Sequence, residues 1–164
     1  MNQDSQGRAT VVMNTEISQV YAAKLDSVIQ RGTAIVAEGG GQRGIYTAGV
    51  LDTFLGHGFN PFELAVGASA GAQNLSTYFI SLPGYAKRAI AELSAEPSFL
   101  VPYRWLGKRS VIDLDMYFSR LVDDPDYRFP CGEIDRLAGQ RRLVFVATSR
   151  SDLTATYLEP DSDS

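Results

Sequence analysis

Two short apolar runs, each passing at once into a glycine-rich turn and then into a helical pattern, constrain this 164-residue chain more than any other feature. The first is Thr33-Ala34-Ile35-Val36-Ala37. It is followed by Gly39-Gly40-Gly41-Gln42-Arg43-Gly44 and then by Tyr46, Val50, Leu51, Phe54 and Leu55 at helical spacing. The second is Leu64-Ala65-Val66, broken at Gly67-Ala68-Ser69-Ala70-Gly71 and continued by Leu75, Tyr78, Phe79 and Ile80 on one side of a helix. A compact apolar run bounded by glycines reads as a buried strand of a parallel sheet. Strand, loop, helix, strand, turn and helix therefore predict an α/β fold with a mainly parallel sheet. Both loops then leave the carboxyl edge of that sheet, and adjacent strands would set them facing each other across one crevice.

The remaining signals fill in around this unit. Residues 1–32 are expected to form a polar N-terminal segment with a short amphipathic helix through Ile17, Val20, Tyr21, Leu25, Val28 and Ile29, ended by Gly32. Residues 33–160 form the α/β domain and residues 161–164 an acidic tail. Helices are predicted over 85–95 and 113–122, with an irregular aromatic stretch over 99–107. Arg142-Leu143-Val144-Phe145-Val146-Ala147-Thr148 reads as a strand, turning at Ser151-Asp152 into a hairpin partner, Thr154-Ala155-Thr156-Tyr157-Leu158. A net charge of −4 argues against nucleic acid, whose phosphates demand a basic face, and confines any membrane contact to a local patch. The single cysteine, Cys131, forms no disulfide within the chain and has no histidine partner beside it. With no secretory leader and no long apolar run, a cytoplasmic protein is expected, at most peripheral at a membrane. No spacing of histidine, cysteine or carboxylate fits a metal, and no cofactor is expected.

Gly67-Ala68-Ser69-Ala70-Gly71 has the pattern of a nucleophile elbow. Small residues are needed because the chain turns sharply from strand into helix, lifting the serine hydroxyl clear of the sheet. The helix opening at Ala70 aims its free amides and positive dipole end at any oxyanion formed there. The loop from Gly39 to Gly44 leaves backbone amides unshielded, as an anion-binding nest does. An activated hydroxyl beside a ring of amide donors is an acyl-transfer site. The same loop also satisfies the dinucleotide pattern, with Gly39, Gly41 and Gly44 in register, so a nucleotide- or phosphate-binding module is the rival reading. That pattern wants an acidic residue at the end of the second strand. Glu63 has the spacing, but it begins that strand.

The chain has one histidine, His57, in the turn that feeds the second strand and so at the edge opposite Ser69. Its expected role is at a helix C-terminus, and a carboxylate is the expected base. Gly-Gly-Gly-x-Arg-Gly about 25 residues before Gly-x-Ser-x-Gly, each after a strand, resembles the patatin-like phospholipase family, over about residues 34–158. The resemblance implies a three-layer α/β/α fold, a serine–aspartate dyad without histidine, and hydrolysis of lipid or other acyl esters. It makes Ser69 the nucleophile. Gly39, Gly40, Gly41, Arg43 and Gly44, with Ala70, become the oxyanion and substrate-binding positions, and Gly67 and Gly71 the elbow glycines. In that family the aspartate stands in an Asp-Gly-Gly or Asp-Gly-Ala turn. No Asp-Gly occurs in this sequence, so a chain truncated before its dyad acid, and inactive alone, is expected. Asp152 and Asp161 lack the context of a substitute. Glu38 is expected to be a solvated loop carboxylate, and residues 99–106 to cover the sheet.

Overall fold

The computed structural model describes residues 29–107, 110–137 and 140–160. The N-terminal helix expected from Ile17 and the acidic tail lie outside the described residues. Strand β1 spans Gln30–Ala37 and already contains Gly32, which the sequence pattern assigned to a helix end. A 3₁₀ turn, Gly41–Arg43, leads into α1, Gly44–Gly56. Strand β2 (Phe62–Ala68) and helix α2 (Ala70–Phe79) follow, with only Ser69 between them. Then come α3 (Tyr85–Leu93), a 3₁₀ stretch (Pro102–Gly107), α4 (Leu114–Asp123), α5 (Cys131–Leu137), β3 (Arg142–Thr148) and β4 (Ala155–Leu158).

The sheet order is β1-β2-β3-β4. The first three strands run parallel, with Ala37 beside Gly67 and Ala68 beside Val146, and β4 returns antiparallel in the expected hairpin. Adjacent parallel strands joined by right-handed crossovers place their helices on one face. The packing agrees. Leu51 and Leu55 of α1, Leu75, Tyr78 and Phe79 of α2 and Ile134 of α5 close over Ala65 and Leu143 of the sheet. Among the described residues, the α/β/α arrangement is thus represented by the sheet and one helical layer. On β1, Ile35 and Ala37 turn into this core, while Val36 faces away and is 73% exposed. Among the described residues, the first apolar run, expected to be buried, is an edge strand with one face open.

Beyond the sheet, a second cluster joins Leu82, Tyr85, Ala89 and Leu93 to Tyr117 and Leu121 of α4. Asp113 caps α4 by accepting the Met116 amide at 3.1 Å, the Asx-type cap that ends the irregular stretch. Helix α5 was not predicted. It is seven residues long and buries only Ile134, too little for a periodic signal. The stretch over 99–106 was expected to cover the sheet and does not. Leu100, Tyr103, Trp105 and Leu106 are exposed, and an antiparallel bridge between Leu100 and Ile112 holds its base.

Candidate active site

Ser69 is the hinge between β2 and α2 and carries φ 50°, ψ −125°. Those angles lie outside the regions a side chain favours, at a cost of order 1–3 kcal/mol that the surrounding packing must sustain. Both elbow glycines are required by contacts rather than by loop freedom. A Cβ on Gly67 would sit 2.6 Å from Ala72 Cα. One on Gly71 would sit 2.5 Å from the carbonyl oxygen of Glu38 and would also run into that of Ala37. Helix α2 therefore passes tightly over the end of β1. Ser69 itself is exposed, and among the described residues its hydroxyl has no hydrogen-bond partner. The first turn of α2 has unpaired amides, as every helix start does, with the buried Ala70 leading it.

The glycine loop lies against this hinge. A Cβ on Gly39 would stand 3.2 Å from Ser69 Cβ and 3.4 Å from the Ala68 carbonyl oxygen, so Gly39 and Ser69 are in direct apposition. Gly41 then adopts φ +54° with open space around it, a conformation that glycine holds without strain. The Arg43 amide donates to the Gly40 carbonyl at 3.1 Å and closes the turn. The Arg43 side chain lies back along Gly40 with its guanidinium exposed, and among the described residues it forms no ion pair.

Gly44 ties the two halves together. It is buried, and a Cβ there would be 2.8 Å from Ala70 Cβ. Asn74, fully buried on α2, donates its Nδ2 to the Gly44 carbonyl at 2.8 Å. The helix after the glycine loop is thereby fastened to the helix after the elbow. Sequence reasoning missed Asn74. Its signal is an amide side chain among Leu75, Tyr78 and Phe79, five residues beyond Ser69. Next to it, Gln73 accepts the Tyr117 hydroxyl at 2.9 Å, which docks α4 onto the first turn of α2.

Other candidates fall away from this centre. His57 caps the C-terminal end of α1, its amide bonding the Thr53 and Phe54 carbonyls. The seven-residue β2 separates it from Ser69 by roughly 20 Å. Glu63 accepts the Gly32 amide at 2.7 Å, at the edge where the strands begin, so no acidic residue completes a dinucleotide site. Glu38 is exposed at the end of β1. Asp152 emerges in the turn after β3, at the same sheet edge as Ser69, but its carboxylate accepts the Thr154 amide and hydroxyl at 3.2 and 2.9 Å. A hydrogen bond from Ser149 and those from Thr154 hold that carboxyl below the usual carboxylate range. Asp161 lies outside the described residues. Cys131 is exposed at the start of α5. Among the described residues, no helix is long and apolar enough to cross a membrane.

Residues 35–161 match the family model described as patatin-like phospholipase, which covers both glycine loops and the whole sheet beyond the first strand's opening. A relative in Escherichia coli K12, the uncharacterized protein YjjU, is 52% identical over 82 residues. That match covers 50% of this chain and 23% of the relative. No solved structure gives a significant match. A strained serine hinge apposed to a glycine loop, inside a family match of this extent, leads to one assignment: the chain belongs to the patatin-like phospholipase family, a family of lipid hydrolases.

Proposed function

We propose that the chain carries the nucleophile and oxyanion half of a serine lipid acyl hydrolase. Ser69 Oγ bonds to an acyl-ester carbonyl carbon, and the carbonyl electron pair moves onto oxygen. Amides of the loop from Gly39 to Gly44, with that of Ala70, receive the resulting oxyanion. Arg43 at the loop's rim takes up the charge of a lipid phosphate or carboxylate. The serine proton passes to a carboxylate and then to the departing alcohol, leaving an acyl-enzyme that water cleaves. Preorganised amide donors of this kind are worth about 3–4 kcal/mol of barrier each in related chemistry.

One observation supports this most: Ser69 holds a costly backbone conformation with its hydroxyl uncommitted, directly against Gly39. Ser81 and Leu153 also have positive φ, and what sets Ser69 apart is that it lies directly against the glycine loop. The base is assigned to an aspartate outside these 164 residues. Asp152 is engaged by Thr154, and no Asp-Gly turn occurs in the sequence. A fluorophosphonate probe tests the reading. It should add to Ser69 of the full-length protein, as read by peptide mass spectrometry, and only slowly to the present chain. Undiminished labelling of a Ser69→Ala variant would refute it.

A further inference from the structure

Four consecutive residues in the first turn of α2 each meet a different part of the fold. Gly71 lies on the carbonyls that end β1, and Ala72 lies against Gly67 of β2. Asn74 holds the Gly44 carbonyl of α1 at 2.8 Å. Gln73, between them, is taken by α4: its side-chain oxygen accepts the Tyr117 hydroxyl at 2.9 Å. The other three ties stay within the sheet and α1. This one comes from the second core, where Tyr117 shares a buried cluster with Tyr85, Leu93 and Leu121 and stands against the Phe99 ring, with centroids 6.0 Å apart. Burial pushes the Tyr117 hydroxyl above the ordinary tyrosine pKa, so it keeps the proton it donates.

Gln73 is also the residue that closes the serine hinge. Its backbone amide donates to the Ser69 carbonyl at 3.2 Å, the bond with which a helix opens on its N-cap. Main chain and side chain of one residue thus join the strained serine to α4. The amide head is held at one end: among the described residues, Gln73 Nε2 is buried without a hydrogen-bond partner, a costly state. Backbone strain persists only where the surroundings over-determine it. Around Ser69, close packing of the glycines and the buried Asn74 fix three sides, and the fourth rests on the Tyr117 hydroxyl. Resting on the lipid hydrolase reading, we propose that Tyr117 and Gln73 are positioning residues for the Ser69 nucleophile, setting where its oxygen stands against the glycine loop. Both act through the turn and not on the reacting ester. The second core then belongs to the catalytic apparatus, because a shift of α4 is passed to the turn that carries Ser69.

Two substitutions in the full-length protein test this. Tyr117→Phe removes the hydroxyl and keeps the ring in its packing, and Gln73→Leu removes the acceptor at nearly the same size. Fluorophosphonate labelling of Ser69 is followed against probe concentration, well below the unfolding midpoint and with unchanged circular dichroism. Each variant should lower the rate at saturating probe about fivefold and leave the half-saturating concentration as it was. Labelling should still run to completion, whereas a purely structural defect would cut the labelled fraction and leave the rate. Since both changes break the same bond, the double variant should be no slower than either alone. Hydrogen exchange of the peptide over 69–76 gives a readout that needs no reactive serine, and it should quicken about fivefold in Tyr117→Phe. Rates equal to the parent's would overturn the proposal, as would losses that multiply in the double variant or exchange that does not change. A labelled Ser69 with unchanged rates overturns the positioning role alone. An unlabelled Ser69 in the parent, with exchange quickened in Tyr117→Phe, supports the tie between α4 and the hinge and overturns the hydrolase reading alone.

Discussion

At Ser69 a local cost is kept in place by its neighbours. Glycine would hold φ 50° without strain, and the serine there is sustained by the close packing of Gly67 on Ala72 and of Gly71 on the end of β1. Ser69→Gly is therefore expected to be more stable than Ser69→Ala by about 1 kcal/mol, since alanine keeps a Cβ in the same unfavourable region. Urea denaturation of the two variants measures this, and equal midpoints would mean that the hinge is unstrained. Gly44, Gly67 and Gly71 were legible in the sequence because a side chain at each would collide with its neighbours, and Gly39 because one there would crowd Ser69. Asn74 was not. A buried amide that acts by reaching a carbonyl thirty residues away shows locally only as a polar residue among apolar ones, and the fold reveals its partner.

Between elements, the Asn74–Gly44 hydrogen bond is the most exposed point of failure for the site. Truncating Asn74 to alanine removes the side-chain hydrogen bond that links the Gly44 carbonyl to α2, at a cost of about 1 kcal/mol. The same change frees α1, and with it the glycine loop, relative to α2. Fluorophosphonate labelling of Ser69 should then slow by more than the stability loss alone explains, when measured well below the unfolding midpoint. Asp113 sets a second element-scale expectation. Its carboxyl is held below the usual range, first by the Met116 amide and then by Arg104. A carboxylate lowered in the folded state contributes stability above its unfolded pKa and loses it as pH falls through the folded one. Asp113→Asn keeps an N-cap but no charge, so its Tm should lie below that of the parent at neutral pH and converge with it towards pH 3. A constant Tm difference across that range would contradict the assignment. Helical spacing of apolar residues made α1 to α4 predictable, and the apolar runs flanking Ser151-Asp152 did the same for the β3–β4 hairpin. Helix α5 escaped because one buried side chain sets no period, and the excursion over 99–106 was misread because apolar composition does not say which way side chains face.

At the scale of the molecule, the described residues form three parallel strands whose carboxyl edge carries the glycine loop, the serine hinge and the β3–β4 turn together, with the helices layered on one face. The open face of β1, marked by Val36, was hidden in the sequence, because a run apolar on both sides looks alike whether or not both sides are covered. Everything proposed about chemistry depends on the hydroxyl of Ser69 and the amides of the glycine loop sharing one small volume. The crystal structure of the full-length protein after reaction with a fluorophosphonate measures that directly. The account predicts a phosphonyl group on Ser69 Oγ, with its phosphoryl oxygen about 3 Å from amides of the glycine loop and of Ala70. An adduct whose oxygen points to solvent and meets none of those amides would contradict it.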